Sequence, residues 1–502
     1  MNYNHEQQAI ITADCDILQV SAYSGTGKST TLDAFSRYRP KSQIINLCFN
    51  KSVQVAADKK FPSNVTNKTT HAMAFAKFGS KYHAAGKLSN DIKPTDIKSV
   101  IPSNMSPTVQ MVFASNVISV LTKFIASADN HIDIKHLENI PNSRFYDLAD
   151  LLPPAIQLWS KMLDLEDPQK VSHDFYLKLW QLSNPRLDKY DYILLDEAQD
   201  TTPAVIDVIS RQRGRKVIVG DKNQAIYGFR HATNAMEMFN PDIILPLTTS
   251  YRFGKQVAML ANMLLQTFRN EPYLLHGQRE VDVIGQVDKS KPYAVISKTN
   301  IGLFDLAVDA VQDGMRIHYI GGIQGYGLDL ILDTHYLRVG DIYSIRDPFI
   351  RTFQTFDLFS QYAEESEDIP AKNLIKINEN YGLRLPELIA RIKAANVSVE
   401  NASQRSSAIE DIFNAQVFLT TAHKSKGLEF NQVLLSEDFT NLIDRNEYAH
   451  PDDLPEQEIN LTYVALTRAK HVLQLNQQLK DFVVVFKQKR LQRQQAKKTA
   501  QA

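Results

Sequence analysis

The sequence predicts an α/β protein of two domains built on parallel sheets, each interrupted by a mostly helical inserted subdomain. Three observations predict it. Short runs of β-branched and aliphatic residues ending at Gly, Asp or Ser fall into two clusters along the 502 residues. Continuous apolar runs of this length suit strands buried on both faces, as in a parallel sheet with helices in its connections. Within each cluster lies a long segment whose apolar spacing is helical.

The first cluster comprises Ile17–Ser21, Gln43–Phe49, Tyr192–Leu195, Lys216–Val219 and Asp242–Leu245. Its insertion carries Val109, Val112, Phe113, Val117, Val120 and Leu121 at helical spacing. The second cluster comprises Tyr293–Ser297, Arg316–Ile320, Gln416–Thr420, Gln432–Leu435 and Val472–Leu475. Its insertion holds an acidic patch at Glu364–Asp368 and a helical pattern from Leu385 to Ile392. The expected division is a first domain at 1–79 and 189–245 with a helical insertion at 80–188. A second domain follows at 246–322 and 411–485, with a shorter helical insertion at 323–410 and a flexible basic tail at 486–502. Glu437–Glu458 has eight acids and one base, and reads as a solvated loop. From Lys487 the chain has six bases and no acids; it reads as a disordered end or as a contact for nucleic acid or a partner.

Hydrophobic residues make up 43% and charged residues 22% of the chain, which excludes a disordered or fibrous protein. Lys and Arg number 56, as do Asp and Glu, so bulk charge cannot draw the protein to a polyanion. A locally charged groove is still compatible with that balance. Two cysteines, Cys15 and Cys48, exclude a disulfide framework and a four-cysteine zinc site. MNYNHEQQAI has no basic segment followed by an apolar core, so no signal peptide is expected. Apolar stretches such as Val483–Phe486 fall short of the ~20 residues of a membrane span. The expectation is a protein without a membrane, in the cytoplasm, nucleoid-associated in a prokaryote or nuclear in a eukaryote.

Ala22-Tyr23-Ser24-Gly25-Thr26-Gly27-Lys28-Ser29 stands between the strand Ile17–Ser21 and a helix expected to begin near Thr30. Small residues let backbone N–H groups close on phosphate oxygens, and the helix N-terminus adds positive potential. Lys28 would reach the β- and γ-phosphates and the Ser29 hydroxyl would hold Mg²⁺. The general pattern begins with Gly where this chain has Ala22. Tyr192-Ile-Leu-Leu-Asp196-Glu197-Ala-Gln-Asp is an apolar strand ending in carboxylates. The carboxyl edge of a parallel sheet is where ligands bind. There Asp196 would support Mg²⁺, and Glu197 would orient or deprotonate an attacking water. A bland alternative for the carboxylates is an acidic helix cap.

AYSGTGKS with DEAQD resembles the superfamily 1 helicases of the UvrD/Rep/PcrA class, and further motifs follow in that family's order. These are Val219-Gly-Asp-Lys-Asn-Gln224-Ala-Ile-Tyr227-Gly-Phe229-Arg230, Leu247-Thr-Thr-Ser-Tyr251-Arg252-Phe253, Thr420-Thr-Ala-His423-Lys-Ser-Lys-Gly427-Leu-Glu429-Phe430 and Tyr463-Val-Ala-Leu-Thr467-Arg468-Ala-Lys470. Asn4-His-Glu-Gln7 resembles the glutamine motif, while Cys48–Val53 and Thr69–His71 stand where single-strand-contacting motifs do. Within the class the likeness is nearest to the F-box DNA helicase branch, on Phe49-Asn-Lys-Ser, Ile320-Gly-Gly and Glu458-Ile-Asn-Leu-Thr-Tyr-Val. No F-box is expected, because the glutamine motif begins at residue 4.

The resemblance implies two RecA-like domains that bind ATP with Mg²⁺ between them. Ala22 to Thr30 would surround the phosphates, Gln7 would recognise the adenine, Tyr251 would stack on it, and Glu429, beside Gly427, would hold the ribose. Gln224 would sense the γ-phosphate, and Arg252 and Arg468 would set two guanidinium groups against it from the second domain. Phe49, Asn50, Thr70, His71, Tyr227, Phe229 and His423 would contact single-stranded DNA. Each of these could instead be core packing, and Phe49 is shifted by one position from the family's aromatic. Many relatives also carry an Arg pair where this chain has Ile459-Asn460. The implied activity is an ATP-dependent helicase moving 3′ to 5′ on single-stranded and tailed duplex DNA, in repair, recombination, replication or defence. A protein partner could load or regulate it. A translocase that strips proteins from the strand, and an ATP-gated binding switch, are the alternatives. No paired Cys/His set suggests a metal other than Mg²⁺.

Overall fold

The computed structural model describes residues 3–397, 414–445, 447–450 and 454–501. The first sheet contains β1 (Ile17–Ala22), β2 (Ile44–Cys48), β3 (Val65–Thr69), β4 (Tyr192–Leu195), β5 (Arg215–Gly220) and β6 (Ile243–Leu247). Its order is β3-β2-β4-β5-β1-β6, with every neighbouring pair parallel. β7 (Thr249–Gly254) and β8 (His276–Arg279) form a two-stranded parallel ribbon. The second sheet is built from β9 (Val283–Ile284), β10 (Tyr293–Ser297), β11 (Ile317–Tyr319), β12 (Val417–Thr421), β13 (Phe430–Leu435) and, later in the chain, a strand at Ala469–Gln474. It runs β11-β12-β10-β13, then the Ala469–Gln474 strand, then β9, again all parallel. Two parallel six-stranded sheets make this a two-lobed α/β protein of the RecA-like kind.

Continuous apolar sequence marks the inner strands because helices cover both faces. Ile193, Leu194, Val217, Ile218, Leu419 and Val433 are all fully buried or nearly so. Sequence periodicity missed β3, whose Val-Thr-Asn-Lys-Thr is polar at every position but the first, as an edge strand with partly exposed residues allows. It also missed the short β9 and the β7–β8 ribbon. β6 reaches Leu247, two residues past the expected 245/246 boundary, and contains Pro246. β6 is an edge strand, where a residue without an N–H is tolerated.

Among the described residues the chain passes from first lobe to second at Thr248. This residue is 8% exposed, and both its N–H and its hydroxyl donate to the Glu6 carboxylate, at 2.9 and 2.6 Å.

The first insertion is organised by the helix Pro107–Ala126, with Phe113, Val117, Phe124, Leu158 and Phe175 in one buried cluster. That helix corrects one expectation, since by length and composition it could cross a membrane. Yet 67% of its most apolar window is buried in this core. The second insertion contains helices Leu328–Val339, Phe356–Glu365, Ile369–Tyr381 and Leu385–Ala395; the expected part at 398–410 lies outside the described residues. Two buried clusters join its described residues to the rest of the protein. Leu328, Ile331, Ile377 and Leu388 share a core with Phe304 and Leu419 of the second lobe. Leu337, Ile350, Phe359 and Tyr362 pack with Met111 and Val112 of the first insertion. The ion pairs Lys93–Asp347 (2.6 Å) and Arg144–Glu365 (2.9 Å) flank that second contact.

Two segments differ from expectation. The 486–502 tail is no coil: its described residues continue a helix spanning Gln477–Gln501. Its Lys, Arg, Gln and Ala are strong helix formers and no Gly or Pro interrupts them. The acidic 437–458 segment buries Phe439, Leu442 and Leu454 and forms a small hairpin from Ile443–Asp444 and Glu447–Tyr448.

Candidate nucleotide site and nucleic-acid groove

β1 ends at Ala22, whose side chain is in the core, and the phosphate loop begins after it. Gly25 and Gly27 have φ of +74° and +81°, values that L side chains rarely adopt. A Cβ on Gly25 would lie 2.6 Å from Ser250 Oγ and 2.7 Å from Arg252 Cβ, so the loop is pressed against β7. Tyr251 N donates to Gly25 O at 2.9 Å. The loop holds its own shape through Thr26 Oγ1, which donates to Tyr23 O at 2.8 Å. The following helix starts at Lys28, slightly earlier than expected.

Not every loop side chain faces inward. The Tyr23 phenol is buried in the second lobe's core cluster and donates to Glu271 Oε2 at 2.6 Å. Thr30 Oγ1 accepts from Lys60 Nζ at 2.9 Å, and Ser29 is exposed at the first turn of the helix. At the other end of the site, Gln7 is 4% exposed and donates to Thr31 Oγ1 at 3.2 Å. The Tyr251 hydroxyl donates to Gln7 Oε1 at 3.4 Å, so the two residues expected at the adenine meet.

Charges converge below the loop. Lys28 pairs with Glu197 at 3.4 Å. Burial opposes the Lys28 charge, but Glu197, Asp196 and Asp221 outweigh it and hold the ammonium above its ordinary pKa. Burial likewise opposes the Glu197 charge; Lys28 and Lys426 overcome it and keep this carboxylate below the usual range. Burial and the Glu197 charge push Asp196 upward, and burial pushes Asp221 up to about 6. Glu197 itself has a φ of 52°, a conformation uncommon for a residue with a side chain and concentrated at functional sites.

From the second lobe, Arg252 Nη1 and Arg468 Nη2 both donate to Ser24 Oγ, at 2.9 and 3.0 Å. Burial and the adjacent Arg252 lower the Arg468 pKa to about 9, because two guanidinium charges share a buried place. Arg468 Nη2 also reaches Gln224 Oε1 at 3.4 Å. Glu429 pairs with Arg252 at 3.1 Å and with Lys470 at 3.7 Å, close to Gly427, whose φ is +84°.

Beside the carboxylates opens a cavity of about 400 Å³, lined by Phe49, Asn50, Thr70, His71, Asp196, Glu197 and Tyr227 among others. Phe49 and Tyr227 stack at 5.7 Å and 23°. Phe229 and His423 lie beyond Tyr227, with Phe229 edge-on to His423 at 5.3 Å and 64% exposed. Two of these residues carry local duties as well: the Asn50 side chain caps the helix Lys51–Lys60, and His71 pairs with Asp174 at 2.8 Å.

Several participants escaped sequence reading. Tyr463, fully buried, accepts from Ser24 N at 3.0 Å and donates to Asp221 Oδ2 at 3.2 Å. Gln199 donates to Glu197 Oε2 at 2.6 Å and accepts from Asp221 N at 3.0 Å, tying the two carboxylate strands together. Lys426 Nζ bonds Asp200 across the lobes, and Lys51 and Arg230 line the cavity. All lie inside or next to the quoted motifs; the signal was there, but their partners were not.

These features set two α/β lobes around one phosphate loop, and comparison with known proteins gives their family. Residues 3–241 match the UvrD/REP helicase N-terminal domain and residues 346–479 the UvrD-like helicase C-terminal domain. The chain belongs to the UvrD/REP helicase family. It is similar to F-box DNA helicase 1 of Gallus gallus, with 32% identity over 521 residues covering 96% of this chain and 50% of that protein. It is also similar to F-box DNA helicase protein 1 of Schizosaccharomyces pombe, with 30% identity covering 94% of this chain and 57% of that protein. The chain thus spans about half the length of these curated relatives. A probable DNA helicase II homolog of Mycoplasma capricolum is 27% identical over 117 residues, 22% of this chain and 16% of that protein.

Proposed function

We propose that this protein is an ATP-driven motor that moves 3′ to 5′ along single-stranded DNA and displaces the complementary strand. The observation that carries the reading is the convergence of Arg252 and Arg468 of the second lobe on Ser24 of the first, in the same loop that leads to the Lys28–Glu197 pair. A phosphoryl transition state spreads negative charge over three oxygens, and planar guanidinium donors match it. ATP would enter between donors from both lobes and draw them together, and its loss would release them. That is a hinge cycle between two bodies.

In this reading Glu197, held ionised by Lys28, orients the attacking water. Ser29 and Asp196 offer a hydroxyl and a carboxylate oxygen, hard donors that fit Mg²⁺. When bound, the ion would neutralise charge on the phosphate oxygens. Gln7 and Tyr251 hold the base, and Glu429 the ribose. The stacked Phe49–Tyr227 pair, Phe229 and His423 offer ring faces to unstacked bases without reading their sequence. Polarity and the preference for DNA are supported by the family likeness.

The test is strand displacement on matched duplexes carrying a 3′ or a 5′ single-stranded tail, with ATP hydrolysis followed in the same samples. Displacement of only the 3′-tailed duplex is expected. Hydrolysis stimulated by DNA without displacement would replace the helicase reading by a stripping translocase. Hydrolysis indifferent to DNA would remove the motor reading.

A further inference from the structure

The turn Lys222–Ile226 connects the nucleotide site to the aromatic groove, and the second lobe holds it by its main chain. Three successive carbonyls accept from three side chains of that lobe. Gln224 O accepts from Lys426 Nζ at 2.6 Å, Ala225 O from Asn460 Nδ2 at 3.0 Å and Ile226 O from His423 Nε2 at 3.1 Å. Successive carbonyls in an irregular turn point in different directions, so donors on all three fix its orientation as well as its position. The donors come from two elements, since Lys426 and His423 belong to the segment after β12 and Asn460 to the helix Glu456–Leu466. That helix sits close: a Cβ on Gly228 would fall 1.8 Å from Gln457 Nε2.

Asn460 is the member whose identity is hardest to explain by packing. It is 1% exposed, and its Oδ1 has no hydrogen-bond partner among the described residues. A buried amide with one unpaired oxygen is unfavourable relative to an apolar residue of the same size, so its N–H must supply something specific. At one end of the turn Gln224 Oε1 meets Arg468; at the other Tyr227 stacks on Phe49.

We propose that Asn460 is a positioning residue. Through the Ala225 carbonyl it transmits the relative movement of the two lobes at the nucleotide to the aromatic residues of the groove. The proposal rests on the motor reading and names a coupling element within it. Asn460→Asp exchanges the amide donor for an acceptor at nearly constant shape, and Asn460→Leu removes the donor without introducing charge.

The experiment measures affinity for an oligo-dT strand with and without a non-hydrolysable ATP analogue, together with melting temperature. Coupled sites usually change each other's affinity about 5- to 150-fold, and the wild-type protein is expected in that range. In Asn460→Leu, and in Asn460→Asp if it folds, the ratio should fall to about one while each ligand alone binds within about twofold of wild type. Stimulation of hydrolysis by DNA should disappear with it. A wild-type ratio in Asn460→Leu would overturn the proposal. So would joint loss of both separate affinities with a lowered melting temperature, which marks a merely structural residue. A wild-type protein without DNA-stimulated hydrolysis would instead defeat the motor reading, and this inference with it.

Discussion

Ser24 accepts from two guanidinium groups that arrive from another lobe, 228 and 444 positions away along the chain. Arg468 is the buried member of that pair. Its replacement by Ala should lower ATP turnover about 10³- to 10⁵-fold, the usual value of an arginine finger, while a fluorescent ATP analogue still binds. Arg468→Lys should be nearly as inactive, because an ammonium cannot bond Ser24, Gln224 and the Val464 carbonyl in one fork. Gly25→Ala sets a methyl group against Ser250 and Arg252 at a left-handed φ. A lower melting temperature and weakened nucleotide binding, measured by calorimetry, are expected. At this scale the sequence was most informative where chemistry is contiguous. Lys28, Asp196, Glu197 and Gln224 each stand in a local pattern, and the structure gathers them. Tyr463, Gln199 and Lys426 were opaque because their meaning is a partner elsewhere in the chain, and no periodicity announces a partner.

Among the elements, the inner strands were legible because burial on both faces leaves them mostly apolar, with few polar positions such as Gln19 and Asn46. Edge strands were legible unevenly: β3, with only Asn67 and Thr69 buried, went unread, and β6 was read only as far as the residue before Pro246. The same logic explains the C-terminal helix. The Arg490–Lys497 residues are all exposed, so the sequence shows charge where a packed helix would show apolar spacing. The groove element can be tested through Phe229, which is mostly exposed and so contributes little to stability. Phe229→Ala should leave the melting temperature unchanged and reduce DNA stimulation of hydrolysis, since one aromatic platform is worth about 1–3 kcal/mol per stacked base. Equal loss of basal and stimulated rates with a lower melting temperature would make it a packing residue.

The whole molecule carries zero formal charge, yet its groove holds Lys51 and Arg230 beside the aromatic rings. Affinity for single-stranded DNA should fall steeply with salt, with a log–log slope of about 0.7 per neutralised phosphate. An affinity that ignores salt would contradict a groove that tracks the backbone. The two insertions are also joined, through Met111 and Val112 against Phe359 and Tyr362. Phe359→Ala should cost about 3–5 kcal/mol in that core. Amide exchange in the helix Pro107–Ala126, which belongs to the other insertion, should rise with it. Unchanged exchange there would mean that the insertions open separately.

The buried crossing at Thr248 limits how this gene can vary. Substitution there costs the hydroxyl's hydrogen bond to Glu6 and leaves the backbone N–H bonded, a loss that folding can absorb. Adding or deleting one residue is a different kind of change. β7 would slip by one position, about 3.3 Å, and every side chain on it would exchange faces. Tyr251 would take the place of Arg252 or Ser250, so the base-side contact and one guanidinium would be misplaced together. Length variation among functional descendants of this chain is therefore expected in the insertions and excluded at the junction. A scan of single-codon insertions, scored for survival of DNA-stimulated hydrolysis, should show a gap there.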